Sequence, residues 1–339
     1  MKVLVTGGAG FIGSNFIRYI IKKHPTYKII NLDKLTYAGN LENLADVEQN
    51  KSYRFVKGDI CDQKLVDQVV EEGIDAIVNF AAESHVDRSL YDPKTFMQTN
   101  VLGTQTLMES GLKHRIKKYI QISTDEVYGS LKEGDDPFTE KSSILSNSPY
   151  SASKASADLL VRAYQKTFDL PAVITRCCNN YGPHQFPEKL IPLFITNAME
   201  DKSLPIYGDG LYIRDWIYVE DHCRAIDLIL HKGKVGEIYN ISSNVEKTNL
   251  EITRMILAYL KKPSSLIKHV KDRPAHDRRY ALKAEKIRKD LGWEPEVSFE
   301  QGISLTIDWY IKNKGWWEKV KSGEYLEYYQ KHYIKRENS

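Results

Sequence analysis

Through the first half of the chain, short β-branched runs alternate with stretches whose apolar residues recur every three or four positions. Residues 3–6 form the first run, and Phe11, Ile12, Phe16 and Ile20 then follow helical spacing over residues 11–23. The same pattern predicts strands at 28–32 (running into Asp33), 54–57, 76–80, 119–123 and 172–176, and helices at 65–72, 94–112 and 150–168. Strands separated by helices of this length imply βαβ units, hence an α/β fold: a Rossmann-like, doubly wound parallel sheet with helices on both faces. The almost unbroken apolar runs at 76–78 and 119–122 suit strands buried on both sides.

After Tyr181 the rhythm changes. Pro183, Pro187, Pro192 and Pro205 interrupt it, and helices are predicted at 219–230, 250–260, 284–291 and 299–312, with a strand at 237–241. The expected organisation is a dinucleotide-binding domain over residues 1–180, rejoined by a returning segment near 211–243. The remainder of 181–339 forms a smaller, mixed α/β substrate lobe.

Composition narrows the function classes. The 339 residues carry 48 Lys and Arg against 45 Asp and Glu, a net charge of +3 with no long basic run, so no nucleic-acid partner is expected. No apolar stretch approaches the roughly 20 residues of a bilayer span, and the glycines soon after Met1 do not fit a signal peptide. No membrane partner is expected. Four cysteines (Cys61, Cys177, Cys178 and Cys223) show no C-x-x-C spacing. That suits a reduced, cytoplasmic setting with no metal site, and Cys177-Cys178 reads as a strand end.

Gly7-Gly8-Ala9-Gly10-Phe11-Ile12-Gly13 lies between the first strand and the first helix. Glycines at this spacing permit a tight turn, close approach of a pyrophosphate to the backbone, and close helix–strand packing. Unpaired N–H groups at the helix start then face the phosphates. Asp33 ends the second strand, where a carboxylate accepts from both ribose hydroxyls and repels a 2′-phosphate. NAD is therefore favoured over NADP, with the adjacent Lys34 pulling the other way. Asp59-Ile60 follows the third strand, where Asp59 either reaches the adenine amino group or belongs to a helix N-cap region.

Tyr150-Ser151-Ala152-Ser153-Lys154 places a phenol and an ammonium four residues apart on one helical face. The expectation is that Lys154 lowers the phenol's pKa and makes Tyr150 a base. Ser123-Thr124-Asp125-Glu126 ends the preceding strand, at the edge that opens onto the ligand crevice. Two consecutive acids there suggest one acid and one base; the bland alternative is a capping Asp125 with Glu126 in solvent.

Together with Asn179-Asn180-Tyr181-Gly182-Pro183, these motifs resemble the extended short-chain dehydrogenase/reductases that act on nucleotide sugars. Asp33-Lys34-Leu35-Thr36-Tyr37-Ala38-Gly39-Asn40, Ala81-Ala82-Glu83-Ser84-His85-Val86-Asp87, Ser123-Thr124-Asp125-Glu126-Val127-Tyr128-Gly129 and Asp272-Arg273-Pro274-Ala275-His276-Asp277-Arg278-Arg279-Tyr280 narrow the resemblance to 4,6-dehydratases, from residue 2 to about 310. Cys178 stands where that family commonly has serine, and Ala275 where it has glycine.

The resemblance implies a hydro-lyase using NAD on dTDP-glucose for deoxysugar supply, most often rhamnose. In it Tyr150 and Lys154 serve oxidation at carbon 4, Thr124 bonds the 4-oxygen, Glu126 takes the carbon 5 proton, and Asp125 protonates the departing 6-hydroxyl. Cofactor contacts are implied for Gly7, Gly10, Phe11, Ile12, Gly13, Asp33, Lys34, Leu35, Thr36, Asp59, Ile60, Phe80, Ala81, Ala82, Ser84, Thr99, Tyr150, Lys154 and Asn180. Substrate contacts are implied for Ser84, Thr124, Asn179, Lys189, Leu190, Asn249, Pro205, Ile206 and Tyr207, the last three holding the base. Arg214, Arg273 and His276 are implied at the diphosphate or ribose, Arg for its planar donor fork. Tyr212 and Trp216 read as core, and Arg278 and Arg279 as surface ion-pair partners. The helices at 94–112 and 150–168 carry second apolar stripes and, by the resemblance, pair across a two-fold axis as a four-helix bundle in a homodimer. The alternatives are a related dehydratase or epimerase using UDP or another nucleotide, which the Asp-Glu pair disfavours for the epimerase, and a non-catalytic NAD-binding protein.

Overall fold

In the computed structural model, which describes residues 1–274 and 276–322, strands and helices alternate as the hydrophobic pattern requires. Ala275, one of the two departures from the family pattern, lies outside the described residues, as do residues 323–339, which the sequence reading expects at the end of the substrate lobe.

The strands in chain order are β1 (Lys2–Thr6), β2 (Lys28–Asp33), β3 (Tyr53–Lys57), β4 (Ala76–Asn79), β5 (Lys118–Thr124), β6 (Ala172–Cys177), β7 (Asn179–Tyr181), β8 (Leu204–Tyr207), β9 (Ile213–Tyr218), β10 (Ile238–Ile241), β11 (Glu246–Thr248) and β12 (Ile267–Val270). The central sheet has seven strands in the order β10-β6-β5-β4-β1-β2-β3, and every neighbour pair is parallel. From β1 the chain winds outward to β2 and β3, then returns to β4 on the other side. That reversal leaves a crevice beyond the carboxyl ends of β1 and β4.

Registers bring those ends level. Thr6 is opposite both Leu32 and Asn79, Asn79 opposite Gln121, and Thr124 opposite Cys177. Beneath the crevice a buried polar ladder ties three strands together. Thr6 Oγ1 donates to Asn79 Oδ1 at 2.6 Å, and Asn79 Nδ2 donates to Gln121 Oε1 at 3.0 Å. Each buried polar group thus keeps a partner, and the ladder fixes the register that an apolar interior would leave slippery.

The helix Pro149–Phe168 starts with a reciprocal Ser148–Ser151 cap and proline at its first position. Its Asp158 pairs with Arg176 of β6 at 2.9 Å, both side chains almost wholly buried. The predicted helix at 94–112 is continuous but not uniform: Pro93–Met97 and Thr104–Lys113 are α-helical, joined by a π-helical Gln98–Gly103. The wider turn holds Asn100, whose Nδ2 donates to the Glu83 carbonyl at 3.0 Å and to Ser153 Oγ at 2.8 Å.

The second lobe is built on a sheet ordered β11-β9-β7 and a β12-β8 pair. Helices Leu190–Met199, Asn249–Leu260 and Phe299–Lys312 cover them over Tyr181, Phe194, Trp216, Ile252 and Ile307. Here the sequence pattern misled at proline. Pro192 lies inside the first turn of Leu190–Met199, where its missing N–H has no intrahelical partner to lose. Pro205 lies in β8, which pairs with β12 alone.

The helix Val219–Lys232 and β10 carry the chain back to the central sheet. Asp221 of that helix fastens the lobes. Its Oδ1 accepts from Glu296 N at 2.9 Å and its Oδ2 from Val297 N at 3.0 Å, while Arg224 donates to Oδ1 at 2.6 Å. Replacing Asp221 by Ala leaves buried donors unpaired. It should lower unfolding free energy by about 3 kcal/mol, read from the urea midpoint at unchanged slope.

Candidate active site

The glycine loop is shaped by contacts that no side chain could share. Gly7 has φ +67°, and a Cβ there would stand 2.6 Å from Ala81 N. A Cβ on Gly13 would meet the Gly7 carbonyl oxygen at 2.4 Å. The helix Phe11–Lys23 begins at Gly10 with no side-chain cap and no acid in its first turn, so its first N–H groups face the crevice unpaired.

Asp33 sits at the far side. Its Oδ2 accepts from Ala9 N at 2.9 Å and its Oδ1 from Leu35 N at 2.8 Å. Burial raises its pKa and these two bonds oppose the rise. Each oxygen keeps a lone pair for a ribose hydroxyl. Lys34 does not reach for a 2′-phosphate: its Nζ pairs with Asp59 Oδ2 at 2.7 Å. Asp62, not Asp59, caps the following helix. The cradle, the open helix end and the diol acceptor fit a dinucleotide without a 2′-phosphate.

These groups line a cleft of about 300 Å³ that runs from Gly7 and Asp33 to Thr124, Asp125, Glu126, Tyr150 and Lys154. Every residue expected at the cofactor is on its wall except Leu35. Leu35, at φ +58°, instead turns its N–H onto Asp33 and orients that carboxylate. A second cavity of about 150 Å³ opens beside it, lined by Asn179, Lys189, Leu190, Pro205, Ile206, Tyr207, Arg214, Asn249, Arg273 and His276. Ser84 and Thr124 face the first cleft. Glu126, Asn179, Glu188 and Lys189 border both, so the two cavities meet at Glu126.

At that seam the consecutive acids diverge. Thr124 Oγ1 donates to Asp125 Oδ1 at 3.1 Å and accepts from Glu126 N at 3.2 Å, starting the 3-10 turn Asp125–Tyr128. Asp125 is buried with Glu126 and Asp215 near it, and its pKa is pushed well above the carboxylate range. Its Oδ2 has no partner among the described residues. Glu126 is also raised by burial, but the charges of Arg273, Lys189 and Arg214 pull it back down. Both acids stay raised, Asp125 the further: it has Glu126 and Asp215 against Arg214, whereas Glu126 has Arg273, Lys189 and Arg214 against Asp277.

The expectation for Tyr150 is corrected. Its phenol is raised well above its usual value by burial, then by Glu126 and Cys177, while a hydrogen bond with Thr124 lowers it. Lys154 is spent elsewhere: its Nζ donates to the Ile122 carbonyl at 2.6 Å, and burial lowers its own pKa.

Among the cations, Arg273 pairs with Asp87 at 3.2 Å and keeps a buried Nε without a partner among the described residues. Arg214 lies over the Tyr280 ring at 4.4 Å. His276 is held neutral by burial and by both arginines, and it stacks on Tyr212 at 3.7 Å. It offers a flat ring rather than a charge. Trp216 is core and also lines the second cavity. Arg278 and Arg279 are exposed-side partners of Asp209 and Glu246, at 2.8 and 2.6 Å.

The sequence reading passed over Asp87 and Glu188. Asp87 accepts from both Arg273 and the Tyr207 hydroxyl, the latter at 3.0 Å. Glu188, almost wholly buried, pairs with Arg88 at 3.1 Å. Asp87 lies in the run that opens with Ala81, so a signal existed there; nothing local marks Glu188.

A nucleotide-sugar dehydratase model, described as GDP-mannose 4,6 dehydratase, matches residues 4–306. The chain belongs to that family. Within the GDP-mannose 4,6 dehydratase family it is 51% identical over 326 residues to a dTDP-glucose 4,6-dehydratase from Streptomyces niveus, covering 95% of this chain and 96% of that protein. A solved dTDP-glucose 4,6-dehydratase from Bacillus anthracis str. Ames in complex with NAD is 53% identical, with a TM-score of 0.89 over 95% of this chain and all of that one (100%). Another, from Streptomyces venezuelae with NAD and TYD bound, is 50% identical with a TM-score of 0.92, covering 95% and 100% of the two chains.

Asp33→Ala removes the acceptor that faces the ribose and should weaken NAD binding about tenfold to a hundredfold. The same change narrows the gap between NAD and NADP. Fluorescence titration with both dinucleotides measures it, and an unchanged NAD affinity would contradict the assignment.

Proposed function

We propose that this protein is an NAD-dependent dTDP-glucose 4,6-dehydratase, giving dTDP-4-keto-6-deoxyglucose for deoxysugar synthesis such as that of rhamnose. The observation that carries the reading is the pair Asp125 and Glu126 at the seam of the two cavities beside Tyr150, the first raised by neighbouring acids and the second restrained by three cations. Relatives near 50% identity and of matching length carry the same name.

Bound NAD supplies a positively charged ring that accepts hydride from carbon 4 and later returns it to carbon 6. Tyr150 takes the 4-hydroxyl proton. It does so as the phenolate: burial and Glu126 raise the phenol, so the positive charges of Lys154 and of bound NAD are what would stabilise that form. Thr124 holds the 4-oxygen and the phenol together. Lys154, anchored on the Ile122 carbonyl, keeps a positive charge under the site. Glu126, kept ionisable by Arg273, Lys189 and Arg214, removes the proton on carbon 5 once the 4-ketone has acidified it, and gives a proton back to carbon 5 when hydride reaches carbon 6. Asp125, kept protonated by burial and neighbouring acids, gives its proton to the leaving 6-hydroxyl. Arg273 and Arg214 hold the diphosphate, with the unpartnered Arg273 Nε as a donor in waiting. Tyr207 and the Tyr212-stacked His276 provide flat surfaces for the nucleoside.

The protein works as a homodimer in this reading. Met97 and Leu102 on the helix with the π turn, and Leu159 and Phe168 on the helix Pro149–Phe168, are large apolar side chains left exposed. They continue the two faces expected to pair across a two-fold axis.

Incubation with dTDP-glucose should yield a 4-keto product, seen by its alkali-induced ultraviolet absorbance, with no net consumption of NAD. UDP-glucose run in parallel should react far more slowly, and equal rates would reject the thymine preference. Glu126→Gln should still oxidise carbon 4 but lose elimination by about a hundredfold or more, leaving reduced-nicotinamide absorbance on the enzyme; turnover at the parent rate would reject Glu126 as the base. Leu159→Glu should convert the dimer to a monomer in sedimentation at micromolar concentration, and a parent protein that is already monomeric would refute the interface.

A further inference from the structure

The helix Phe11–Lys23 starts at the glycine loop, and its 13 residues carry the chain about 20 Å away from it. At that remote end His24 meets the last turn of the helix Val219–Lys232. His24 Nε2 stands 2.9 Å from Asp227 Oδ1, and His231 Nδ1 stands 3.1 Å from the same oxygen. One donor atom from each of the three residues lies within 4.8 Å of the others. We propose that His24, Asp227 and His231 form a binding site for a zinc-class divalent cation that staples the first helix to the returning helix.

The donor set has the composition of such a site. Two imidazoles and one carboxylate suit zinc and its neighbours in the first transition row, and leave a fourth position for water. Tetrahedral bonds of about 2.0–2.1 Å put neighbouring ligand atoms about 3.3 Å apart. The two shorter spacings are close to that before any rearrangement. Asp227 and His231 are four apart on one helix and share a face. Side-chain exposures of 24% for His24, 9% for Asp227 and 31% for His231 leave a path in from solvent while burying the carboxylate.

The surrounding groups orient the ligands. His231 Nε2 lies 2.7 Å from the Tyr27 hydroxyl, so its Nδ1 is the atom turned inward. Without a metal, Nδ1–H donates to the Asp227 carbonyl at 2.8 Å and Nε2 accepts from Tyr27. With a metal on Nδ1, the proton resides on Nε2 and is donated to the Tyr27 oxygen. That second partner is what ligating histidines ordinarily have. The Tyr27 ring also stacks on His24 at 4.6 Å and 11°, fixing the plane of the other imidazole. Tyr19 is a further neighbour, its phenol raised in part by the Asp227 charge, while Arg224 is engaged by Asp221 and Glu296.

The test is titration of the untagged, metal-free protein with zinc sulfate against a chromophoric chelator. One equivalent per chain should bind. His24→Ala and His231→Ala should each weaken it by at least about a hundredfold, and Tyr27→Phe, which leaves all three ligands in place, by about tenfold. Cobalt(II) added in place of zinc should give the visible absorption of a four-coordinate ion in the parent and not in His231→Ala. Turnover of the sugar nucleotide should be the same in all variants, because the cluster lies away from the cleft, and unchanged circular dichroism shows that they fold. No zinc binding by the parent, or binding that persists in the His24→Ala/His231→Ala double variant through the cysteines, would overturn the proposal.

Discussion

Asp125 and Glu126 are consecutive residues, yet the backbone gives them different charged neighbours, and the proposed chemistry rests on that divergence. Thr124 is the last residue of β5, and its hydroxyl starts a 3-10 turn by accepting from Glu126 N. The turn sends one carboxyl toward Asp215 and the interior, the other toward Arg273, Lys189 and Arg214. Burial raises both groups and Arg214 draws on both; the additional acids around Asp125 and the additional cations around Glu126 separate them. A protonated carboxyl and an ionisable one can then act on adjacent carbons of one substrate without exchanging roles.

That separation depends on a rigid platform. The carboxyl ends of β1, β4, β5 and β6 are level because their registers are level, and the Thr6–Asn79–Gln121 ladder holds three of those strands in step. The helix carrying Tyr150 and Lys154 is pinned to β6 through the Asp158–Arg176 pair, and to the neighbouring helix through Asn100 in its π turn. The wider turn and the level strand ends thus serve one purpose: they fix a phenol and two carboxyls on the wall of the cleft at the carboxyl edge of the sheet.

The cations come from the other lobe, so the site exists only when the lobes are joined. Arg214 belongs to β9, and Arg273 follows β12. Asp87, from the short helix Val86–Ser89 after β4, reaches across to Arg273 and to Tyr207 of β8. Asp221 makes a second connection through Glu296 and Val297. Its helix leads at the other end to the His24, Asp227 and His231 cluster, so one element links the two lobes and the remote end of the first helix.

Local sequence carried the first domain well because its elements are locally specified. Strand burial on both faces, glycines that must pass under a backbone, and a carboxylate at a strand end all leave marks within a few residues. The glycine loop, Asp33, the Tyr150–Lys154 spacing and the ends of most helices were legible for that reason. The second lobe was less so. β7, β8 and β9 are short strands made by pairing with distant partners, and Pro192 and Pro205 hid a helix and a strand. Resemblance, not periodicity, supplied most of the substrate-side residues. Tertiary structure alone decided the electrostatics. It spent Lys154 on a carbonyl, turned Lys34 onto Asp59, made Leu35 an orienting residue rather than a wall, and brought in Asp87 and Glu188. A side chain's identity and spacing are written along the chain, but its proton affinity depends on which charges lie nearby once water is excluded, and those charges come from distant segments, as Lys189, Arg214 and Arg273 do for Glu126.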